Sequence, residues 1–322
     1  MMVVSVIIPT LNEARHIKTC LDSILNQSYP KDQYEVLVVD GDSTDGTIDI
    51  VNAYCRKHNN VNLIFEDKMS ASAARNKGIK MAKGKIIAFI DADTIIPEGW
   101  IDQIIGCFDD FPQLGVVGGP DFTPNDDPHI AQMIGLTENS ESMVSEFKDK
   151  EAAMMIKSCN CGCLKEVLDI VGYFDDDVPL MFYFDETPLW LKMVANGYKA
   201  YFNPKMYVFH RRQSSVKEFL KIAYRYGASK AMLGYIDTKD ILVISVLIFS
   251  LLTSFLLLIS LAISLPLLTV GIIVLFIYTI KRCYRTKNFE IVLKNLPVVA
   301  SLFYLKWIAW AGGLLSGFRR RI

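Results

Sequence analysis

Acidic residues are scarce beyond residue 204 of this 322-residue chain. Residues 205–322 hold 17 Lys and Arg but only four Asp and Glu, a net charge of +13, whereas residues 1–204 hold 17 and 31, a net charge of −14. The overall charge of −1 therefore hides an acidic part followed by a basic one. Because the basic part is also rich in apolar runs, it is typical of a surface that meets anionic lipid. No nucleic-acid-binding motif accompanies it, so we expect no nucleic acid partner.

Several short signals are also missing. The start, Met-Met-Val-Val, has no basic segment before a short apolar run, so we expect no signal peptide and place residues 1–239 in the cytosol. The seven cysteines include no C-x-x-C pair, which argues against a zinc site and, in the cytosol, predicts free thiols. The turn after the first apolar run, PTLNEARH, is not rich in Gly and basic residues, which disfavours a nucleotidyltransferase. We find no internal repeat.

The first third of the chain alternates apolar, β-branched runs with segments of helical periodicity. Strands are predicted at 3–8, 34–40, 62–66 and 85–91, and helices within 9–25, 43–57 and 70–83. Ser43 or Thr44 is available to cap the second helix. This order predicts an α/β domain with a mostly parallel sheet covered by helices on both faces. Ligands of such sheets bind at the carboxyl ends of the strands.

Acidic side chains collect at those strand ends. Asp40 and Asp42 follow the second predicted strand, and Asp91 and Asp93 follow the fourth. Two carboxylates one residue apart can share a hard cation, Mg²⁺ or Mn²⁺, which usually also binds waters and substrate phosphates. The alternative is a solvated loop, because a lone D-x-D pair is common.

Four stretches, in this order and spacing, resemble the family-2 glycosyltransferases: VSVIIPTLNE, VVDGDSTDGT, ASAARNKG and IAFIDAD. The resemblance covers residues 3 to about 230. It implies the GT-A fold, a Rossmann-like and mostly parallel α/β sheet that binds nucleotide-diphospho-sugars. It also implies an inverting transfer of a sugar, with a divalent cation as cofactor.

The resemblance assigns roles to particular residues. The turn after the first strand would hold the nucleoside, and the acidic turn after the second strand would face the base. Asp93 would bind the metal ion, and Asp91 the ribose or the metal. The residues implied in nucleotide-sugar binding are Pro9, Thr10, Glu13, Asp40, Asp42, Arg75, Asn76 and Asp91. Many members have D-D-G where this chain has D-G-D, so either Asp40 or Asp42 can contact the base.

An inverting transfer to a hydroxyl also needs a base. The family places an acidic pair just before a helix of the form L-x-x-R-x-x-x-x-G-Y, and here that stretch is DETPLWLKMVANGYK. Asp185 and Glu186 match the pair, with Glu186 at the position of the usual base. The order is reversed from the common Glu-Asp, so either can act. The alternative is that both carboxylates cap the helix.

Further residues are candidates for binding the metal or the acceptor. In the family a histidine at the position of His210 lies close to the diphosphate or metal; a structural histidine is the alternative. Arg211 and Arg212 follow it and can meet a phosphate. The stretch CNCGC matches the family's small-residue loop beside the acceptor, so Asn160 and Gly162 would form that loop and the thiols would fill space.

Residues 236–322 predict a helical membrane region. An uncharged run of about 40 residues can form two spanning helices, since one span needs about 20, and we place them at about 241–261 and 263–281. The basic loop 281–287 would then lie in the cytosol. A third apolar stretch, 296–317, carries a lysine at its middle, and we expect an interfacial or re-entrant helix there, with a span as the alternative.

Residues 216–235 place basic side chains on one helical face and apolar ones on another, which predicts an amphipathic helix lying on the bilayer. The alternative is a surface helix that packs on a protein core.

These patterns together predict a membrane-anchored, inverting glycosyltransferase. Its catalytic domain, 1–235, would lie on the cytoplasmic face of the cell membrane and pass sugar to a polyprenyl phosphate or a lipid-linked glycan. A processive polysaccharide synthase is the enzymatic alternative, but the Q-x-x-R-W motif of such members is missing after Gln213. A non-catalytic membrane scaffold is the other, and it would be expected to lose the D-x-D or the acidic pair.

Overall fold

The computed structural model describes residues 3–68, 70–137, 146–176, 186–233, 252, 261–283 and 294–321. The chain divides into two compact units. The first comprises Met1–Pro124, Met143–Leu180 and Asp185–Arg211, and the second comprises Asn125–Ser142, Met181–Phe184 and Arg212–Ile322.

The first unit is an α/β domain. Its strands are β1 (Val4–Thr10), β2 (Tyr34–Asp40), β3 (Val61–Phe65), β4 (Ile86–Phe89), β5 (Thr94–Ile95), β6 (Leu114–Gly118), β7 (Asp121–Phe122), β8 (Phe147–Lys148), β9 (Cys161–Leu164), β10 (Lys199–Phe202) and β11 (Val208–His210). Its helices are α1 (Ile17–Leu25), α2 (Thr47–Lys57), α3 (Ala71–Met81), α4 (Trp100–Asp110), α6 (Asp149–Ala153), α7 (Lys165–Val171) and α8 (Glu186–Ala195). The remaining described helices belong to the second unit: α5 (His129–Gly135), α9 (Val216–Leu233), α10 (Leu261–Cys283) and α11 (Leu296–Arg321).

An eight-stranded sheet organises this domain, in the order β3-β2-β1-β4-β9-β6-β10-β8. The pairs β1–β2, β1–β4, β2–β3 and β6–β10 are parallel. Strand β9 runs antiparallel between β4 and β6, and β8 runs antiparallel at one edge. A second, three-stranded sheet has the order β5-β11-β7. The prediction of a mostly parallel α/β sheet is confirmed.

Two apolar clusters cover the sheet, and strand β1 contributes to both. Val6 and Ile8 belong to the cluster that includes residues of α1 and α4, whereas Ile7 belongs to the cluster that includes residues of α3, α7 and α8. Successive side chains of a strand point to opposite faces, so a run of apolar residues is what a strand buried on both faces requires. Packing on both faces of the sheet fixes the positions of the strand ends and of the acidic turns that follow them.

The predicted small-residue loop at Gly162 is wrong. Gly162 lies inside β9, opposite Ala88 of β4 and Val117 of β6. A Cβ atom there would lie 2.7 Å from Cγ2 of Ile104, so only glycine allows α4 to pack this closely on the strand. The neighbouring thiols of Cys161 and Cys163 are buried, as the prediction of space-filling cysteines expected.

The second unit is helical, and α9 packs along α11. Phe219 of α9 lies in a cluster with buried residues of α5 and α11, among them Ile134 and Phe303. The face of α9 that was predicted to lie on the bilayer is therefore covered by protein at Phe219 and Ala223, which are 3% and 5% exposed. At these two positions the apolar face of the helix packs on a protein core. A bilayer and a protein core both favour apolar residues at helical spacing, so the pattern alone does not distinguish them.

The predicted membrane segments are described in part. The span at 263–281 falls within α10, whereas most of the span at 241–261 lies outside the described residues. Within the described ranges, one helix is long and apolar enough to cross a membrane, Leu296–Leu314, with a mean hydropathy of 1.2 and 33% of the segment buried. Thr269–Ile280 is a shorter apolar helix. The stretch expected to be interfacial thus also has the length and composition of a span.

Replacing Gly313 by Ala should disrupt the α9–α11 packing. A Cβ atom at this position would fall on the carbonyl oxygen of Tyr224, and one at Gly227 of α9 would fall on that of Trp310. Backbone atoms cannot move aside without separating the helices, so we expect a destabilisation of at least about 1–3 kcal/mol. Thermal unfolding of the full chain measures it.

Gly312→Ala is the matched control for that substitution. Its Cβ would lie 3.7 Å from the Tyr224 ring, which is ordinary contact, and Ala favours a helix over Gly by about 0.5–1 kcal/mol. The control should leave stability unchanged or raise it. Equal unfolding temperatures for both variants would contradict the close packing.

Candidate active site

The turn after β4 brings the D-x-D carboxylates next to His210. The backbone N–H of Thr94 donates to the carbonyl of Asp91 at 3.0 Å, which turns the chain back into β5. Strand β5 pairs with β11, with Thr94 opposite His210. As a result Nε2 of His210 lies 3.1 Å from Oδ1 of Asp93.

Arg75 of α3 holds the other carboxylate. Its guanidinium donates to Oδ1 of Asp91 at 3.1 Å, and its side chain is only 6% exposed. The guanidinium carbon also lies 5.5 Å from the centre of the Phe174 ring. Arg75 therefore stabilises a carboxylate of the D-x-D turn, and it reaches the turn from the helix predicted to line the nucleotide pocket.

Asp93 and His210 face each other across this site, and each shifts the pKa of the other. Burial acts to raise the pKa of Asp93, but the charge and hydrogen bond of His210 outweigh it and lower the pKa overall. Burial acts to lower the pKa of His210, and the carboxylates of Asp93 and Asp121 raise it well above its usual value. Each of the two groups therefore favours the charged form of the other.

Asp91, Asp93 and His210 could hold a divalent cation. One ligand atom from each lies within 4.8 Å of the others. The two carboxylates suit Mn²⁺ or Mg²⁺, the imidazole nitrogen can serve as a third ligand, and the partly exposed carboxylates leave room for waters or phosphate oxygens. The residues present therefore fit the ion that the sequence predicts.

A second group overlaps this one. Asp121 and Cys159 also bring their ligand atoms within 4.8 Å of each other and of His210. Sequence reasoning missed Asp121, because nothing in the spacing links it to His210. The link arises from the parallel pairing of β7 with β11.

Asp40 and Asp42 differ in what they present to a ligand. Asp40 is fully buried, and its two oxygens accept from the N–H and the hydroxyl of Ser43 at 2.8 and 2.7 Å. Asp42 is exposed, at a φ of 72°. Asp40 therefore shapes the turn, whereas the carboxylate of Asp42 is open to solvent. The prediction that Ser43 or Thr44 caps the second helix is wrong, because α2 begins at Thr47 and has no side-chain cap.

Hydrogen bonds join this turn to the turn after β1. The hydroxyl of Ser43 accepts from the N–H of Asn12 at 2.8 Å, and that of Thr47 accepts from the N–H of Glu13 at 2.9 Å. Thr44 donates its N–H to Oδ1 of Asn12 at 2.9 Å. The polar residues of DGDSTDGT thus build one surface from two strand ends. Pro9 and Thr10 are the last two residues of β1.

Glu13 stands near the cation site. Burial raises the pKa of its carboxyl, the charges of Asp93 and Asp91 add to this, and a hydrogen bond from His16 at 2.9 Å partly offsets it. His16 also contributes to the lowered pKa of Asp93. It is a further polar residue of this surface that the sequence motifs did not single out.

The side chains of Asn76 and Asn160, which were predicted to contact substrates, make hydrogen bonds within the protein. Asn76 donates to the carbonyl of Phe174 at 2.9 Å and accepts from its N–H at 3.1 Å. Asn160 is 0% exposed; it accepts from Nε1 of Trp100 at 2.8 Å and donates to the carbonyl of Met206 at 2.7 Å. Both amides therefore have a structural role, and their predicted contacts with substrates stay predictions.

The remaining predicted residues fall at three places. Glu186 is half-buried in the first turn of α8, and Asp185 lies outside the described residues. The N–H of Arg211 donates to the carbonyl of Asp93 at 3.3 Å, so this residue adjoins the cation site. Arg212 belongs to the second unit, where its N–H donates to Asp127 at 3.1 Å.

A mostly parallel sheet with a D-x-D turn, a facing histidine and joined polar turns at the strand ends defines an α/β enzyme of the GT-A type. The family model described as glycosyl transferase family 2 matches residues 5–177, and the chain belongs to this family. It is a glycosyltransferase.

Its relatives include a full-length match. The chain is 29% identical, over 98% of both sequences, to the dolichyl N-acetyl-alpha-D-glucosaminyl phosphate 3-beta-D-2,3-diacetamido-2,3-dideoxy-beta-D-glucuronosyltransferase of Methanococcus voltae. It is 35% identical to glycosyltransferase AglE of Haloferax volcanii, over 53% of this chain and 55% of that one.

Solved structures share the fold. The mannosyltransferase PcManGT from Pyrobaculum calidifontis, in complex with GDP-Man and Mn²⁺, superposes with a TM-score of 0.62 at 19% identity, covering 99% of this chain and 88% of that one. Residues 1–349 of S. aureus TarS, in complex with UDP-GlcNAc, superpose with a TM-score of 0.51 at 18% identity, covering 99% and 92%. The predicted GT-A fold is confirmed.

Proposed function

We propose that this enzyme transfers a sugar from a nucleotide-diphospho-sugar to a hydroxyl of a lipid-linked glycan at the membrane. One observation carries the proposal: the alignment with the Methanococcus voltae enzyme, named for a dolichyl sugar phosphate, runs through 98% of both chains. The similarity therefore includes the C-terminal helices as well as the catalytic domain. Of the two acceptors predicted from the sequence, this favours the glycan over a bare polyprenyl phosphate.

The donor would bind at the carboxyl ends of β1, β2 and β4. The exposed Asp42 would face the base, and Glu13 would lie close to the bound cation, since the charges of Asp91 and Asp93 act on its carboxyl. Asp91, Asp93 and His210 would hold Mg²⁺ or Mn²⁺. Such an ion supplies positive charge to the diphosphate as it leaves, so no separate acid is required.

Glu186 is the proposed base, with Asp185 as its alternative. A carboxylate at this position accepts the proton of the acceptor hydroxyl as that oxygen attacks the sugar carbon from the face opposite the diphosphate.

The C-terminal helices would anchor the domain on the cytoplasmic face. Side chains of α10 are exposed although they are large and apolar, including Val270, Ile273 and Ile277. Exposed apolar stripes of this kind mark contact with lipid or protein, and the basic residues that flank them favour anionic lipid.

The proposed topology predicts that Cys283, at the end of α10, lies on the cytosolic side. It is a native probe, because the other six cysteines are buried or, in the case of Cys55, half-buried. In a Cys55→Ser background, a membrane-impermeant maleimide should label Cys283 in inverted vesicles and not in intact cells. Labelling from the outside alone would contradict the hairpin of two spans.

A transfer assay tests the function itself. Full-length protein in detergent or liposomes, with Mn²⁺, is offered a panel of nucleotide-sugars and either a polyprenyl phosphate or a polyprenyl-phosphate-linked sugar. Mass spectrometry should find the added sugar on the linked sugar only. Transfer to the bare phosphate would overturn the proposed acceptor, and nucleotide release without lipid product would overturn the acceptor class.

A further inference from the structure

Asp121 is a buried carboxylate outside the predicted donor and metal residues. It opens β7 and is 1% exposed. Its Oδ2 lies 3.4 Å from Nδ1 of His210, while Nε2 of the same ring lies 3.1 Å from Asp93. The imidazole is therefore held between two carboxylates, one at each nitrogen.

The position of Lys157 indicates whether Asp121 binds a cation or supports His210. Asp121, Cys159 and His210 carry ligand atoms that could bind a cation at a separate site. However, the ammonium of Lys157 lies 3.1 Å from the Asp121 carboxylate. A divalent ion at that group would sit against this positive charge, whereas a hydrogen bond from the imidazole N–H is compatible with it. The charges thus favour a supporting role.

We propose that Asp121, held by Lys157, is a positioning residue that orients His210 so that its Nε2 faces the cation site at Asp91 and Asp93. Metal-bound histidines almost always donate their other ring N–H to a carboxylate, a carbonyl or water, which fixes the tautomer and the ring orientation. This inference rests on the proposed function, since it takes His210 as a ligand of the divalent ion.

Binding of Mn²⁺ to the full-length protein, measured by electron paramagnetic resonance without substrates, tests it. Asp121→Ala should weaken Mn²⁺ affinity by about 10–100-fold. Since the chain has four histidines, ¹⁵N spectra of labelled imidazoles in the protein loaded with diamagnetic Mg²⁺ can follow His210, which should lose its single Nδ1–H tautomer in the variant. Glu35→Gln is the control: Glu35 is a buried carboxylate that accepts from Ser5 and Lys83, at the opposite end of the strands, and should lower stability alone.

Three outcomes would overturn the proposal. Asp121→Ala could bind Mn²⁺ as tightly as the wild type, with the tautomer of His210 unchanged. Cys159→Ser, expected to be silent, could lose as much affinity as Asp121→Ala, which would place the ion in the other group. If Asp121→Ala does not fold, Asp121→Glu shifts the carboxylate by one methylene and should give a smaller loss; wild-type affinity would then overturn it.

Two further variants separate this inference from the proposed function. If Asp93→Ala abolishes Mn²⁺ binding and His210→Ala does not, the positioning role fails while metal-assisted transfer stands. If neither variant changes Mn²⁺ binding, the metal part of the proposed function fails as well.

Discussion

Asp93→Ala is expected to abolish sugar transfer while the protein remains folded. The substitution removes a carboxylate that faces His210 at 3.1 Å within the candidate cation site. The charge stabilisation that a metal ion gives to a leaving group is worth several kcal/mol, and about 4 kcal/mol corresponds to about 10³-fold in rate. Product formation from nucleotide-sugar and lipid-linked acceptor measures the loss, and EDTA should reproduce it in the wild type.

An exposed carboxylate provides the matched control. Asp49→Ala removes an acidic side chain from the first turn of α2, at the surface, and should leave transfer unchanged. Mn²⁺ or Mg²⁺ should restore activity after EDTA treatment of the wild type but not of Asp93→Ala. Full activity in EDTA would show that the reaction needs no divalent ion.

Glu186→Gln should lower the turnover rate by about 10²–10⁴-fold, the usual contribution of a general base. Glutamine keeps the size and hydrogen-bonding capacity of the side chain but cannot accept the proton of the attacking hydroxyl. Affinity for the nucleotide-sugar should change little, because the proposed donor site lies at the ends of β1, β2 and β4 and does not include Glu186. Rapid-mix turnover and separate donor titrations distinguish the two effects.

The helix-capping explanation of Glu186 has its own control. Glu166 occupies the first turn of α7, as Glu186 does in α8, so Glu166→Gln removes the same interaction with a helix N-terminus without touching the site. It should lower stability slightly and leave turnover intact. A greater loss in Asp185→Asn than in Glu186→Gln would move the base to Asp185. If both are nearly silent, the acceptor is itself a phosphate, which attacks without a base.

The elements that sequence patterns predicted best are those whose signal is local. Strand β2, predicted at 34–40, is a run of seven buried residues, and α3, predicted within 70–83, runs from Ala71 to Met81. The D-x-D turn could be found because its two carboxylates follow a buried strand directly in the chain. Each of these signals spans only a few residues.

The sequence by itself determined the α/β alternation, the acidic turns at the strand ends and, through four motifs, the family. Only the tertiary structure decided that Asp40 is buried and Asp42 exposed. It also decided that the amides of Asn76 and Asn160 are hydrogen-bonded inside the protein and that Asp121 adjoins His210. These contacts join residues up to 98 positions apart. Their partners are chosen by strand pairing and by the need of buried polar groups for hydrogen bonds, and neither leaves a periodic trace in the sequence.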